Sequence, residues 1–167
     1  QMGKKVFTNH SGSNMTRGIL ASIVRFSDMR GALNYDIAVL EVDEAYAAKL
    51  APLMKPRAAI LTNVLRDQLD RFGEIDHTAR LLSRLAECCS AIVVYSASDS
   101  RLRAIPDALK SARAVSYGFN KQLVAHFPDD DSLYSTDKRD LPDKLDYALL
   151  SADESTCEIV SKSGTRK

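Results

Sequence analysis

Residues able to do chemistry gather in three short stretches of this chain. In the first, the apolar run Ala58-Ala59-Ile60-Leu61 gives way abruptly to Asn63, Arg66, Asp67, Gln68, Asp70 and Arg71. This is the pattern of a parallel strand opening onto a site, because ligands in open α/β sheets bind at the carboxyl ends of the strands. A solvated loop with an ordinary helix cap has the same composition, so the stretch gains weight only beside the other two. The second, Thr8-Asn9-His10-Ser11-Gly12-Ser13-Asn14, lies between a short apolar segment and a helical pattern. Gly12 and its small polar neighbours can present backbone N–H groups to an anion at a helix N-terminus. A plain cap by Ser13 or Asn14 is the competing reading.

The third stretch holds Glu41, embedded in Ala38-Val39-Leu40-Glu41-Val42. A carboxylate inside an apolar strand requires a partner or a metal, since an unpaired buried charge is costly. Asp43 and Glu44, just beyond, are equally explained as first-turn acids favoured by a helix dipole. If Glu41 and the residues around Asp67 meet across adjacent strands, they form an oxygen-rich site suited to Mg2+. That ion takes carboxylates together with phosphate oxygens and waters. A phosphate seat, a strand-end acid and a polar strand-end loop imply nucleotide or phosphoryl-transfer chemistry. The sequence contains no G-x-x-x-x-G-K-[ST] loop, the element that normally cradles the phosphates. The expectation is therefore a nucleotide-binding core without its own phosphate loop, unable by itself to hold ATP well.

The elements that must position these residues alternate. Lys5–Thr8 reads as a strand, Met15–Phe26 as a helix, Asp36–Val42 as a strand, and Ala45–Met54 as a helix stopped by Pro56. Ala58–Thr62 is a strand, and a helix follows from about Glu74 with Ile75, Ala79, Leu82, Leu85, Ala86 and Cys89 on one face. Ala91–Tyr95 is a strand, Arg101–Leu109 a helix interrupted near Pro106, and Ala112–Ser116 a strand. Strands alternating with helices imply βαβ units, and continuous apolar strands imply a sheet covered on both faces. The fold class expected is α/β, a doubly wound, mostly parallel sheet. From Phe119 the rhythm changes. Val124–Phe127, Tyr147–Leu150 and Glu158–Val160 read as short strands, the last two as an antiparallel edge. Residues 1–120 form the core on this reading, and residues 121–167 are a β-rich extension of the same domain.

Composition sets the outer limits. A chain of 167 residues fits one domain. Its 23 Lys+Arg against 22 Asp+Glu leave no basic stripe for nucleic acid. Cys88, Cys89 and Cys157 have neither disulfide nor zinc spacing and read as small buried or half-buried thiols. No apolar run approaches the ~20 residues of a membrane span, and no signal-peptide pattern follows Gln1. A cytoplasmic protein without membrane insertion is expected. His10 flanks the phosphate seat but reads as a solvated loop histidine, and neither His77 nor His126 has partners suggesting catalysis.

Five phrases carry a family resemblance: TNHSGSNMTRGI (8–19), DIAVLEVDEA (36–45), AAILTNVLRDQLDRFGEID (58–76), VVYSASDSRL (93–102) and SYGF (116–119). In order, they resemble the central ATPase domain of the Mur ligases over about residues 3–120. Within that family they resemble the MurT-type subunit of lipid II isoglutaminyl synthase. RDQLDRFGE is fairly specific to that branch, since amino-acid-adding Mur ligases have Asp-His where this chain has Asp67-Gln68. The resemblance implies ligation in cell-wall (peptidoglycan) synthesis. ATP converts the D-glutamate α-carboxylate of the lipid II stem peptide to an acyl phosphate, which ammonia from a GatD-type glutaminase partner displaces.

By position, the resemblance implies that Glu41 binds Mg2+ and that Gln68 stands where other Mur ligases have a metal-associated histidine. Asp67 and Gln68 fall at the catalytic position. Ser11, Gly12, Ser13, Asn14, Asn63 and Asp70 fall on the substrate and phosphate side. Ser96, Asp99, Tyr117 and Gly118 fall near the nucleotide. ATP is a substrate, Mg2+ the cofactor, and no zinc is expected because the four-cysteine ribbon of many MurT-type proteins is absent from the sequence. The missing phosphate loop and C-terminal domain imply a fragment of a longer ligase. An amino-acid-adding Mur ligase, a folylpolyglutamate-synthase-like ligase and a non-catalytic remnant acting as an interaction module are the alternatives.

Overall fold

The computed structural model describes residues 3–9, 13–64, 74–127, 141–152, 156–161 and 164–166. Strand β1 (Val6–Thr8) leads into helix α1 (Thr16–Phe26), then β2 (Ile37–Val39), α2 (Glu44–Met54), β3 (Ala58–Leu61), α3 (Glu74–Glu87) and β4 (Ile92–Ser96). A 3-10 turn (Ser100–Leu102), the single-turn α4 (Ile105–Ala108), β5 (Arg113–Phe119) and a second 3-10 segment (Lys121–His126) follow. Strands β6 (Tyr147–Ala152), β7 (Cys157–Ser161) and β8 (Gly164–Arg166) close the order.

The pairing is parallel from β3 through β4 and β5 to β6, then antiparallel through β7 to β8. A mostly parallel α/β sheet with an antiparallel end is thus as the sequence implies. Among the described residues, however, the strands fall into two sheets, β1–β2 and β3–β8. The main core of the larger one lies on one face. There Leu61, Val93, Tyr95 and Ala97 pack with Leu82 and Ala86 of α3, Leu102, and Ile105 of α4. The spacing of Leu82, Leu85 and Ala86 gives α3 the apolar stripe that this packing needs, and Cys89 just beyond the helix joins the same core.

The expectation of cover on both faces is only half met among the described residues. Val6 pairs with Ile37 and Thr8 with Val39, and paired residues of parallel strands share a face. Val6, Ile37 and Val39 are 46–57% exposed, and Ile60 of β3 is 72% exposed. The opposite face of the small sheet is packed instead, with Phe7 buried against the rings of Phe26 at 6.0 Å and Tyr35 at 5.6 Å. An apolar strand records that both of its faces want cover without supplying the cover itself.

Other differences have local causes. Val124–His126 lies in a 3-10 segment and not a strand, with Phe127 as its C-cap, and Asn120 caps its start by accepting from the Gln122 N–H at 3.0 Å. His126 therefore ends a 3-10 helix and is not on an edge strand. Arg101–Leu109 is a 3-10 turn plus one α-helical turn, restarted with Pro106 in its first turn, where proline is tolerated. Helix α2 ends before Pro56 as expected, with Lys55 in the left-handed region at φ 48°. Cys89 is buried, and burial, with Cys88 beside it, pushes its thiol pKa up. Cys157, expected to be at least half-buried, is exposed.

Candidate functional site

The ends of β1 and β2 meet at a buried asparagine. Asn9, 8% exposed, donates through Nδ2 to the Ser13 carbonyl at 2.9 Å and to the Glu41 carbonyl at 2.8 Å, and its Oδ1 accepts from the Glu41 N–H at 3.0 Å. The Asn14 carbonyl accepts from the Asp43 N–H at 3.0 Å. The turn holding Ser13 and Asn14 is thereby strapped to the segment holding Glu41 and Asp43.

This placement corrects the sequence reading of Glu41. Strand β2 stops at Val39, so Glu41 lies beyond the strand and its side chain is exposed rather than buried among apolar neighbours. Beyond the end of the ladder the Asn9 side chain takes over the pairing, at Glu41. Capping does not account for Ser13 and Asn14 either, since α1 starts from Met15 without a side-chain cap. Asp43, by contrast, is the N-cap of α2, accepting from the Ala45 N–H at 3.1 Å, and Glu44 occupies its first turn.

Sequence reasoning passed over Gly18, although a glycine inside a helix costs about 1 kcal/mol against alanine and so invites an explanation. Its explanation is contact: a Cβ at Gly18 would meet Ser13 Cα and Cβ at 2.7 Å and Ser13 O at 2.9 Å. Main chain cannot yield as a side-chain tip can, and overpacking costs roughly 1–3 kcal/mol. Gly18→Ala is expected to lower stability despite its helix propensity. Backbone amide shifts should change at Ser13, Asn14 and Asp43. A stabilised variant with those amides unmoved would show that the turn does not depend on this close approach.

A second polar cluster surrounds the exits of β3, β4 and β5. Asp99 accepts from the Val64 N–H at 2.7 Å and from the Arg101 N–H at 3.0 Å, and it pairs with the Arg101 guanidinium at 3.9 Å. The Tyr117 hydroxyl donates toward the Thr62 carbonyl at 3.2 Å and the Leu61 carbonyl at 3.5 Å. Burial raises the phenol's pKa, and a side-chain hydrogen bond with Ser96 opposes that rise. Gly118 admits close packing, since a Cβ there would overlap Ser98 Oγ and approach Leu145 Cδ1 to 3.0 Å. Ser98 Oγ accepts from the Phe119 N–H at 3.3 Å.

The structure thus brings together Ser13, Asn14 and Glu41 in one group, and Asp99, Tyr117 and Ser96 near the end of β3 in another, with Gly118 set beside Ser98 and Leu145. Asn63 is exposed next to buried Val64. Asp67, Gln68 and Asp70, like His10, Ser11 and Gly12, lie outside the described residues. Among the described residues, no group of three or more His, Cys, Asp and Glu side chains is arranged to hold a metal ion. Mg2+ needs less, because one or two carboxylates with waters and substrate phosphates commonly suffice. The exposed Glu41 carboxylate beside the Ser13–Asn14 turn fits that donor set. No helix among the described residues is long and apolar enough to cross a membrane.

Comparison with known proteins agrees with this architecture. The chain is 40% identical over 78 residues to the MurT subunit of lipid II isoglutaminyl synthase (glutamine-hydrolyzing) from Streptococcus pneumoniae, which is 47% of this chain and 17% of that protein. It is 29% identical over 132 residues to the UDP-N-acetylmuramoylalanine–D-glutamate ligase of Brucella abortus, covering 70% of this chain and 28% of that one. In fold it is similar to the MurF ligase of Thermotoga maritima, crystallised in complex with ADP. The TM-score is 0.66 at 19% identity, over 98% of this chain and 34% of that one. The chain therefore spans about a sixth to a third of the length of these relatives. The Mur ligase middle domain model matches residues 3–159, and the chain belongs to that family.

Proposed function

We propose that this chain is part of an ATP- and Mg2+-dependent ligase that amidates the D-glutamate of the lipid II stem peptide through an acyl phosphate. Ammonia reaches it from a GatD-type glutaminase, in the cytoplasm. The likeness to the MurT subunit carries this reading, and the geometry agrees with it. Two anions, carboxylate and γ-phosphate, must be held in line while their repulsion is neutralised. Mg2+ supplies that neutralisation when bound, and Glu41 would hold it. Ser13 and Asn14, in the turn strapped to Glu41, seat phosphate or substrate, and Ser11 and Gly12 share that role. Asn63 and Asp70 contact substrate, and Asp67 and Gln68 act at the reacting carboxylate.

Ser96, Asp99, Tyr117 and Gly118 serve the nucleotide by building its wall. Asp99 is already engaged with the Val64 and Arg101 N–H groups, and Tyr117 with the exit of β3. A phosphate loop from outside these 167 residues completes the site. The likeness to a D-glutamate-adding ligase over 70% of the chain favours amino-acid addition as the second reading.

The test is reconstitution. The 167-residue chain alone should show no measurable ATP hydrolysis. The complete reading frame with a glutaminase subunit should convert lipid II to its amidated form with ATP, Mg2+ and glutamine. Robust turnover by the isolated chain would overturn the need for an outside phosphate loop. Ligation of a free amino acid with no ammonia incorporation would overturn amidation in favour of the second reading. A reconstituted frame that neither hydrolyses ATP nor ligates would leave a non-catalytic module.

A further inference from the structure

We propose that Asn9 is a positioning residue that aims Glu41 at a divalent cation, a role resting on the reading of Glu41 given above. The β1–β2 pairing ends at Thr8 and Val39, so the main-chain ladder does not reach Glu41. Asn9 replaces it with a side chain. Its Oδ1 takes the Glu41 N–H at 3.0 Å, and its Nδ2 gives to the Glu41 carbonyl at 2.8 Å, engaging residue 41 on both sides of its Cα. The same Nδ2 reaches the Ser13 carbonyl at 2.9 Å, which sets the distance between the turn and Glu41. Among the described residues these bonds engage only the main chain of Glu41, and its side chain is exposed.

Asparagine is the residue this arrangement demands. Two donors and one acceptor must act from one short planar group. Aspartate would turn an oxygen toward two carbonyls, serine has a single hydroxyl, and glutamine is a methylene too long. The amide ties the end of β1 to the residue carrying the exposed acid.

The experiment uses the 167-residue chain, read by amide NMR, with Mn2+ as the probe for a divalent cation. In the parent chain the Glu41 amide should exchange slowly with solvent, and Mn2+ should broaden the Ser13, Asn14 and Glu41 signals most. In Asn9→Ala, exchange at Glu41 should accelerate at least about tenfold, as loss of a buried hydrogen bond implies. The Mn2+ concentration giving half-maximal broadening should rise severalfold. The β1–β2 contacts at Val6–Ile37 and Thr8–Val39 should persist. Glu41→Gln should abolish the broadening while leaving amide exchange at position 41 slow.

Broadening that Glu41→Gln removes and Asn9→Ala leaves intact would overturn the role of Asn9 alone. Loss of the β1–β2 contacts in Asn9→Ala would overturn it too, by making Asn9 a residue of the fold. Absence of broadening in the parent chain would overturn the cation reading of Glu41, and with it the purpose assigned to Asn9. Exchange at Glu41 would still report whether Asn9 holds it.

Discussion

Glu41→Ala, made in the complete reading frame, is expected to abolish Mg2+-dependent amidation of lipid II while leaving the thermal midpoint almost unchanged. The two halves of this prediction have separate origins. The Glu41 side chain is exposed, and the anchoring hydrogen bonds run through its N–H and carbonyl, which alanine retains. Truncation at such a position costs within about 0.5 kcal/mol. A carboxylate that holds a charge-neutralising metal contributes several kcal/mol to the transition state, and each 1.36 kcal/mol is about tenfold in rate. The loss should therefore exceed about a hundredfold. Glu41→Gln preserves shape and removes charge, and it should be nearly as damaging. The checks are amidated product formed at saturating Mg2+ and the melting temperature of each variant. Full activity in either variant would remove Glu41 from the site, and a large fall in midpoint would assign it to the fold.

The physical premise that first singled out Glu41 differs from the one the structure supplies. An acid between Leu40 and Val42 suggested a charge sealed inside a strand, because hydrophobic neighbours in sequence are the usual sign of burial. What sequence periodicity could not register is that the ladder stops at Val39, that the Asn9 side chain holds the Glu41 main chain beyond it, and that Ile37 and Val39 before it lie on an open face. The order of strands and helices was legible because each element carries its own period, as the Leu82-Leu85-Ala86 stripe does in α3. The parallel run β3–β5 was legible from the helices between its strands, and the antiparallel β6–β7 pair from the lack of one, whereas the parallel β5–β6 pairing was not. Long-range polar contacts have no period. Asp99 and Val64, 35 residues apart, share no local pattern, nor do Asn9 and Glu41, 32 apart. The Gly18–Ser13 approach lay within reach, since an interior helix glycine is itself a signal. Split sheets and open apolar faces were out of reach, because a strand's composition does not say which neighbour covers it.

Asp99→Ala is the substitution expected to cost most in stability. The carboxylate stands at the N-cap of the Ser100–Leu102 turn, its side chain only 10% exposed, and accepts from Val64 and Arg101 N–H groups belonging to different segments. Alanine would strand the N–H of Val64, a residue 6% exposed, at a cost of about 1–3 kcal/mol for an unsatisfied buried donor. Loss of the cap adds about 1 kcal/mol. Because both bonds share one carboxylate the terms need not add fully, and a total near 3 kcal/mol is expected. For a chain of this size that corresponds to a fall in melting temperature of roughly 6–12 °C. Asp99→Asn keeps one acceptor oxygen and should fall between the two, and the Val64 amide should lose most of its exchange protection in Asp99→Ala. In sequence Val64 leads directly into the stretch carrying Asp67, Gln68 and Asp70. A ligase bearing Asp99→Ala should therefore lose turnover even where it remains folded. A change in stability below about 1 kcal/mol, the size of an ordinary exposed-residue effect, would show that the Asp99–Val64 bond does not hold the end of β3.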